Sequence, residues 1–236
     1  MRPTPVLLPG NMCDARLWTE AVRATFSGAI DADLTQDGSI QAMAERTLAA
    51  TDGQLLAVGF SMGAIVAVEM AVQAPERIVG LVLSGYNATA DLLERAAHRP
   101  AQQSEVRAGG LERVLVEELK PNYLAAQNRK DHALLGILRD MGMDLGTDVF
   151  VRQSEALRLR EDRRDAIAAL DMPVLYLCGA EDTLCPPAWH QIWTDMTPKA
   201  QFSQISGAGH MVPLEAPKAF AATIGHWLTI NEKDFA

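Results

Sequence analysis

VGFSMGAIVAVEMA, residues 58–71, joins a short apolar run to an alanine-rich one through Gly59, Ser61 and Gly63. The run that enters the glycines, QLLAVGF (54–60), has the length of a buried strand, and the segment that leaves them continues as a helix. A serine between strand and helix, with a small residue two positions away on each side, is the arrangement that holds a nucleophile on a sharp, strained turn. The small residues let strand and helix approach, and the hydroxyl is left exposed at the sheet edge. The pattern G-x-S-x-G is weak alone. At average residue usage it arises by chance in about one chain in ten of this length, and a glycine-softened turn is the plainer reading. Its weight depends on what the rest of the chain supplies.

Outward from that turn, strands and helices alternate at both ends of the sequence. Apolar runs bounded by glycine or proline occur at PVLLPG (5–10), AIDADL (29–34), QLLAVGF (54–60), IVGLVLSG (78–85), PVLYLCG (173–179) and AQFSQIS (200–206). Helical segments lie between them at 15–26, at 39–52 with Ser39 as cap, at 61–74, at 187–196 and at 216–228. The alternation predicts an α/β fold: a mostly parallel sheet of about six strands with helices on both faces. From Asn87 to Leu170 the strand signals stop and helical text takes over, in ATADLLERAAHR, LERVLVEELK, DHALLGILRDMG and DVFVRQSEALRLR. The expected organisation is a core of 1–86 and 171–236 with a helical cap inserted at 87–170, outside the carboxyl edge of the sheet where ligands bind.

Composition narrows the function. The 236 residues are 48% hydrophobic and 22% charged, enough for one domain with a sizeable core. A net charge of −9 without a lysine–arginine run argues against a nucleic-acid partner and for a small neutral or apolar ligand. The amino-terminal MRPTPVLLPG is too short and too proline-marked for a signal-peptide core, and no stretch reaches the ~18 apolar residues of a membrane span, so a cytoplasmic location is expected. Cys13, Cys178 and Cys185 have no metal-ligand spacing; neither a disulfide, a metal nor a cofactor is expected.

A serine hydroxyl needs a base, and the base needs an orienting acid. Of five histidines, His98 and His132 fall in the insert, His190 within a helix and His226 on the last helix beside Trp227. His210 alone follows a strand, in the glycine-flanked loop GAGHMVPLEAP (207–217), at the edge where Ser61 emerges. GAEDTLCPP (179–187) supplies Asp182 just past its own strand, with Glu181 and Asp91 as competing carboxylates.

With these residues in place, GFSMG, GAEDTLCPP and GAGHMVPLEAP resemble the nucleophile elbow, acid loop and histidine loop of the α/β-hydrolase superfamily, over nearly the whole chain. The resemblance implies a triad of Ser61, Asp182 and His210. It implies an oxyanion hole from the backbone N–H groups of Met62 and, in LLPGNMCDARLW, of Asn11, with Met12 as the alternative if that loop is shifted. The family's usual His-Gly is Pro9-Gly10 here. Relatives that remove halogen carry an asparagine at the place of Asn11 but use an aspartate nucleophile, so Ser61 favours acyl chemistry. The nearest likeness is to small bacterial carboxylesterases, lactonases and carbon–carbon bond hydrolases.

The expected function is cleavage of a small ester, lactone or thioester through an acyl-enzyme. Two other readings stand beside it: a carbon–carbon hydrolase or lyase with the same triad, and a ligand-binding member of the fold without turnover. Trp18, Phe60 and Tyr86, together with Met62 and the insert, are the expected substrate pocket. Arg139, Arg152 and the run RLREDRRD (158–165) are candidates to meet a substrate carboxylate or an acidic carrier protein, against the plainer reading of a solvated helix face.

Overall fold

Alternate residues of each central strand serve two different cores. In the computed structural model, which describes residues 3–119 and 122–235, the strands are β1 (Thr4–Leu8), β2 (Ile30–Asp31), β3 (Leu55–Phe60), β4 (Ile78–Ser84), β5 (Val174–Gly179) and β6 (Ala200–Ile205). Val6, Leu55, Ala57, Leu81, Leu83 and Tyr176 face one cluster, while Leu7, Leu56, Val58, Val82, Leu175 and Leu177 face the other. Two buried faces explain why these strands read as continuous apolar runs rather than as alternating ones.

All neighbouring strands pair parallel, in the order β2-β1-β3-β4-β5-β6. The chain runs outward from β1 to β2 and returns on the other side of β1 as β3. The sequence direction therefore switches between β1 and β3, which opens a crevice at their carboxyl ends. Asn11 and Ser61 both stand there. At the edge, β2 covers two residues rather than the six of AIDADL: Ile30 and Asp31 pair with Val6 and Leu7, and the strand ends before Asp33.

Helices α1 (Glu20–Thr25) and α10 (Pro217–Ile230) bury Val22, Phe220, Ile224 and Trp227 against one face. α2 (Ile40–Ala49), α3 (Met62–Gln73) and α8 (Pro187–Met196) cover the other. Ser39 caps α2, its hydroxyl accepting the Ala42 N–H at 3.2 Å. The segment 15–26 is not one helix. A 3-10 turn at Ala15–Leu17, capped by Asp14, ends before an extended Thr19 restarts the chain as α1.

Between β4 and β5 the described chain is helical: α4 (Leu93–Glu105), the single turn α5 (Leu111–Arg113) flanked by wider π-type turns, α6 (His132–Arg158) and α7 (Arg164–Ala168). α6 is broken at Gly146, where φ is 79°, so the two helical segments of the sequence lie on either side of the break. The short α9 (Val212–Glu215) directly precedes α10. Among the described residues no helix is long and apolar enough to cross a membrane.

Candidate active site

Ser61 sits at φ 52°, ψ −114°, a conformation that costs a non-glycine residue roughly 1–3 kcal/mol. Its neighbours hold it there. The Ser61 N–H donates to the Ser84 carbonyl on β4 at 2.8 Å, and a Cβ at Gly63 would lie 2.0 Å from the Leu8 carbonyl oxygen, one at Gly59 2.4 Å from the Ala64 Cα. Only glycine at both positions lets α3 start this close to β1 and β3.

His210, on the loop after β6, is fixed from the insert side: its N–H donates to the Tyr123 carbonyl at 2.7 Å, and its ring lies 5.1 Å from that of Phe60 and 5.8 Å from that of Tyr123. Asp182 Oδ1 accepts the N–H groups of Leu184 and Cys185 at 2.8 and 2.9 Å, while Oδ2 is 2.8 Å from His210 Nδ1. Burial pushes the Asp182 carboxyl up. The His210 ring and these hydrogen bonds outweigh it and hold the group below the usual carboxylate range. An ionised Asp182 only accepts, so Nδ1 carries the proton and the Nε2 lone pair faces Ser61 Oγ, 3.0 Å away. The competing carboxylates point elsewhere: Glu181 accepts the Ala126 N–H, and Asp91 is clamped between Arg99 and Arg160.

Two backbone donors flank the serine. Met62 opens α3, and among the described residues neither its N–H nor that of Asn11 has a hydrogen-bond acceptor. The N–H of Met12 is different, because it donates to Gln153 Oε1 at 2.8 Å and is unavailable to a ligand. Gln153 Oε1 also accepts from Asn11 Nδ2 at 3.1 Å, and Gln153 Nε2 donates to the Leu34 carbonyl at 3.0 Å. The Asn11 side chain is thereby tied to α6. Sequence reasoning missed Gln153. Its signal is a polar residue among the buried Val149, Phe150 and Leu157 of the same helix.

A cavity of about 310 Å³ opens over Ser61 and His210, between the sheet edge and the insert. Asn11 and Met62 line it, as expected, but Trp18, Phe60 and Tyr86 do not, and the expected pocket is corrected here. Trp18 is buried with Leu17 and Val22 in the core. Phe60, the last residue of β3, is fully buried beneath the His210 ring, and Tyr86 turns inward to face Tyr176 at 6.0 Å. The insert supplies the walls instead, through Arg95, Arg99, Gln102, Asn122, Tyr123 and Arg160. Arg139 pairs with Glu112 and Asp140 at the surface, and Arg152 donates to the Thr35 carbonyl, so neither lines the cavity. Burial pushes the Cys185 thiol, also a wall residue, far up and leaves it protonated.

A parallel sheet with a strained serine after its third strand, and a histidine and a carboxylate in hydrogen-bond line behind it, defines an α/β-hydrolase. Residues 6–223 match the Alpha/beta hydrolase family, and the chain belongs to that family of enzymes. It is 26% identical over 240 residues to the biotin biosynthesis bifunctional protein of Cellvibrio japonicus, which covers 94% of this chain but 47% of that protein; the chain spans about half the length of that relative. A pimeloyl-acyl-carrier-protein methyl ester esterase of Klebsiella pneumoniae is 29% identical over 192 residues, 77% of this chain and 72% of its own. Among solved structures, a thermophilic esterase from Thermogutta terrifontis superposes with a TM-score of 0.88 at 25% identity, covering 100% of this chain and 92% of that one.

Proposed function

We propose that the protein hydrolyses a small carboxylic ester, lactone or thioester through an acyl-enzyme on Ser61. The observation that carries this reading is the unbroken line from Ser61 Oγ to His210 Nε2 at 3.0 Å and from His210 Nδ1 to Asp182 Oδ2 at 2.8 Å. Ser61 Oγ bonds to the carbonyl carbon as its proton passes to His210 Nε2. The oxyanion is held by the N–H groups of Met62 and Asn11. Collapse expels the alcohol or thiol, which takes the proton from His210. Water then attacks the acyl carbon, again giving its proton to His210, and Ser61 leaves with that proton as the acid is released. Asp182 stays ionised throughout and stabilises the imidazolium.

Residues 87–170 act as a cap that closes the cavity and selects the substrate. The relatives named above as esterases favour ester chemistry at this site. A cytoplasmic setting belongs to the same reading, on the odd number and the spacing of the cysteines in the sequence. The test is turnover of a nitrophenyl ester series by the native protein and by Ser61→Ala. Hydrolysis well above background that vanishes in Ser61→Ala supports the reading; a well-folded native protein no faster than background overturns it.

A further inference from the structure

The chain carries a net charge of −9, yet its active-site cavity is walled by three guanidinium groups, Arg95, Arg99 and Arg160, against the single carboxylate of Glu118. Two of the arginines share one acid: Arg99 Nε lies 2.6 Å from Asp91 Oδ2, and Arg160 Nη1 lies 2.7 Å from Asp91 Oδ1. This cluster is desolvated, with the Asp91 and Arg160 side chains only 1% and 5% exposed. One carboxylate between the buried Arg160 and the half-buried Arg99 leaves an excess positive charge in a wall that water screens weakly. Arg160 is further held by the Thr89 carbonyl, so its direction is fixed.

Arg95 adds a third charge. It stands one helical turn before Arg99 on α4, on the same face, and has no carboxylate partner among the described residues. Glu118 does not neutralise it, being taken by Arg113 at 2.7 Å, Gln102 at 2.7 Å and His98 at 3.4 Å. The charge of Arg95 is felt at the Tyr123 hydroxyl and the Cys185 thiol, both of which line the same cavity, and Tyr123 lies against His210. A guanidinium without an acid, beside a buried cluster already short of one, is a binding site for an anion.

We propose that Arg95, backed by the Arg99–Asp91–Arg160 cluster, binds a carboxylate at the far end of the substrate, which makes the preferred substrates monoesters of small dicarboxylic acids. The inference rests on the ester-hydrolase reading given above and adds the charge of the acyl group to it. Since Arg95 is exposed and has no ion pair among the described residues, Arg95→Gln removes the anion contact without unpairing a buried group.

Monomethyl esters of straight-chain dicarboxylic acids of about four to eight carbons, each beside its uncharged dimethyl ester, are the probes. Charge-assisted hydrogen bonds of the size expected correspond to about 10- to 100-fold. In the native protein kcat/KM is expected to favour the monoanion over the diester by at least tenfold (~10), and Arg95→Gln to cut that ratio by about the same factor, chiefly through KM. Equal kcat/KM for the two ester types, or a ratio unmoved in Arg95→Gln, overturns the proposal. Calorimetry of monomethyl and dimethyl glutarate binding to Ser61→Ala reads the same preference without chemistry. Arg95-dependent binding of the monoanion there, with no turnover by the native protein, upholds the anion site and sinks the hydrolase reading. Turnover of both esters with no charge preference does the reverse.

Discussion

Gln153 Oε1 accepts the Met12 N–H at 2.8 Å, which ties the second half of α6 to the loop after β1 across 141 residues of sequence. The same oxygen holds the Asn11 side chain, and Met12 is kept at a positive φ of 51°. With Met12 so engaged, the backbone N–H of Asn11 is a donor of that loop left without an acceptor among the described residues, beside the cavity that Ser61 also lines. The segment between β4 and β5 thereby fixes the loop that carries Asn11 and Met12.

Gln153→Ala should misplace that donor. Loss of one oxyanion contact costs about 10²- to 10³-fold in kcat, and partial misplacement somewhat less, with KM little changed. The substitution also unpairs the Met12 N–H and the Leu34 carbonyl, for about 1–3 kcal/mol of stability. Steady-state kinetics well below the melting temperature separate the two effects. A kcat within about twofold of native would mean that the loop holds its shape without Gln153.

On the proposed mechanism, in which the three groups act as a unit, Ser61→Ala and His210→Ala should each lower kcat by about 10⁴- to 10⁶-fold with little loss of folding. Asp182→Asn should cost somewhat less, because the imidazole keeps its place and loses its tautomer. Glu181→Gln is the control, as its carboxylate accepts the Ala126 N–H and, among the described residues, is not bonded to His210. A larger loss at Glu181 than at Asp182, measured on the same ester, would reassign the acid.

His190 is one group through which acid weakens the fold. Its Nε2 accepts the Tyr86 N–H at 3.0 Å while Nδ1–H donates to the Pro186 carbonyl at 3.2 Å, and burial holds its pKa down at about 4, against 6.5 in an open chain. Well above pH 6.5 the ring is neutral in both states and takes nothing from the stability of the fold. As pH falls from 6.5 toward 4 the unfolded chain takes up a proton that the folded one refuses, and about 3 kcal/mol is lost over that window. Urea unfolding across this range should show a steeper decline in the native protein than in His190→Gln, whose amide can replace both hydrogen bonds. Parallel declines would remove His190 from the account.

Gly63→Ala places a methyl group against the Leu8 carbonyl oxygen, and neither backbone can yield without opening the β1–α3 contact. A loss of about 1–3 kcal/mol is expected from overpacking alone, together with a drop in activity as Ser61 shifts. Calorimetric melting tests it, and a native melting temperature would contradict the tight turn.

How much of this was legible beforehand follows from how local each signal is. All six strands stand where the apolar runs lie; the central ones, buried on both faces, need no partner to be recognised, whereas the edge strands β2 and β6 are exposed along much of their length and are marked by their bounding turns. Ser61, Asp182 and His210 each follow such a strand, so chain order and strand ends sufficed to bring them to one edge. The pocket was not legible. Trp18, Phe60 and Tyr86 neighbour the motif loops in sequence, but strand alternation and loop direction turn them into the core. The cavity walls come instead from polar faces of α4 and of the chain around Tyr123, whose orientation depends on how the insert docks. Gln153 was hidden for the same reason, as its partners Met12 and Leu34 are more than a hundred residues away.

The central claim is that Ser61 is a nucleophile activated by His210, and a fluorophosphonate probe reads that chemistry directly. Peptide mass mapping of the treated native protein should place a single adduct on Ser61, with no adduct in Ser61→Ala and a severe slowing in His210→Ala. A folded native protein that takes up no probe, or takes it up at another residue while Ser61 stays unmodified, would contradict the account.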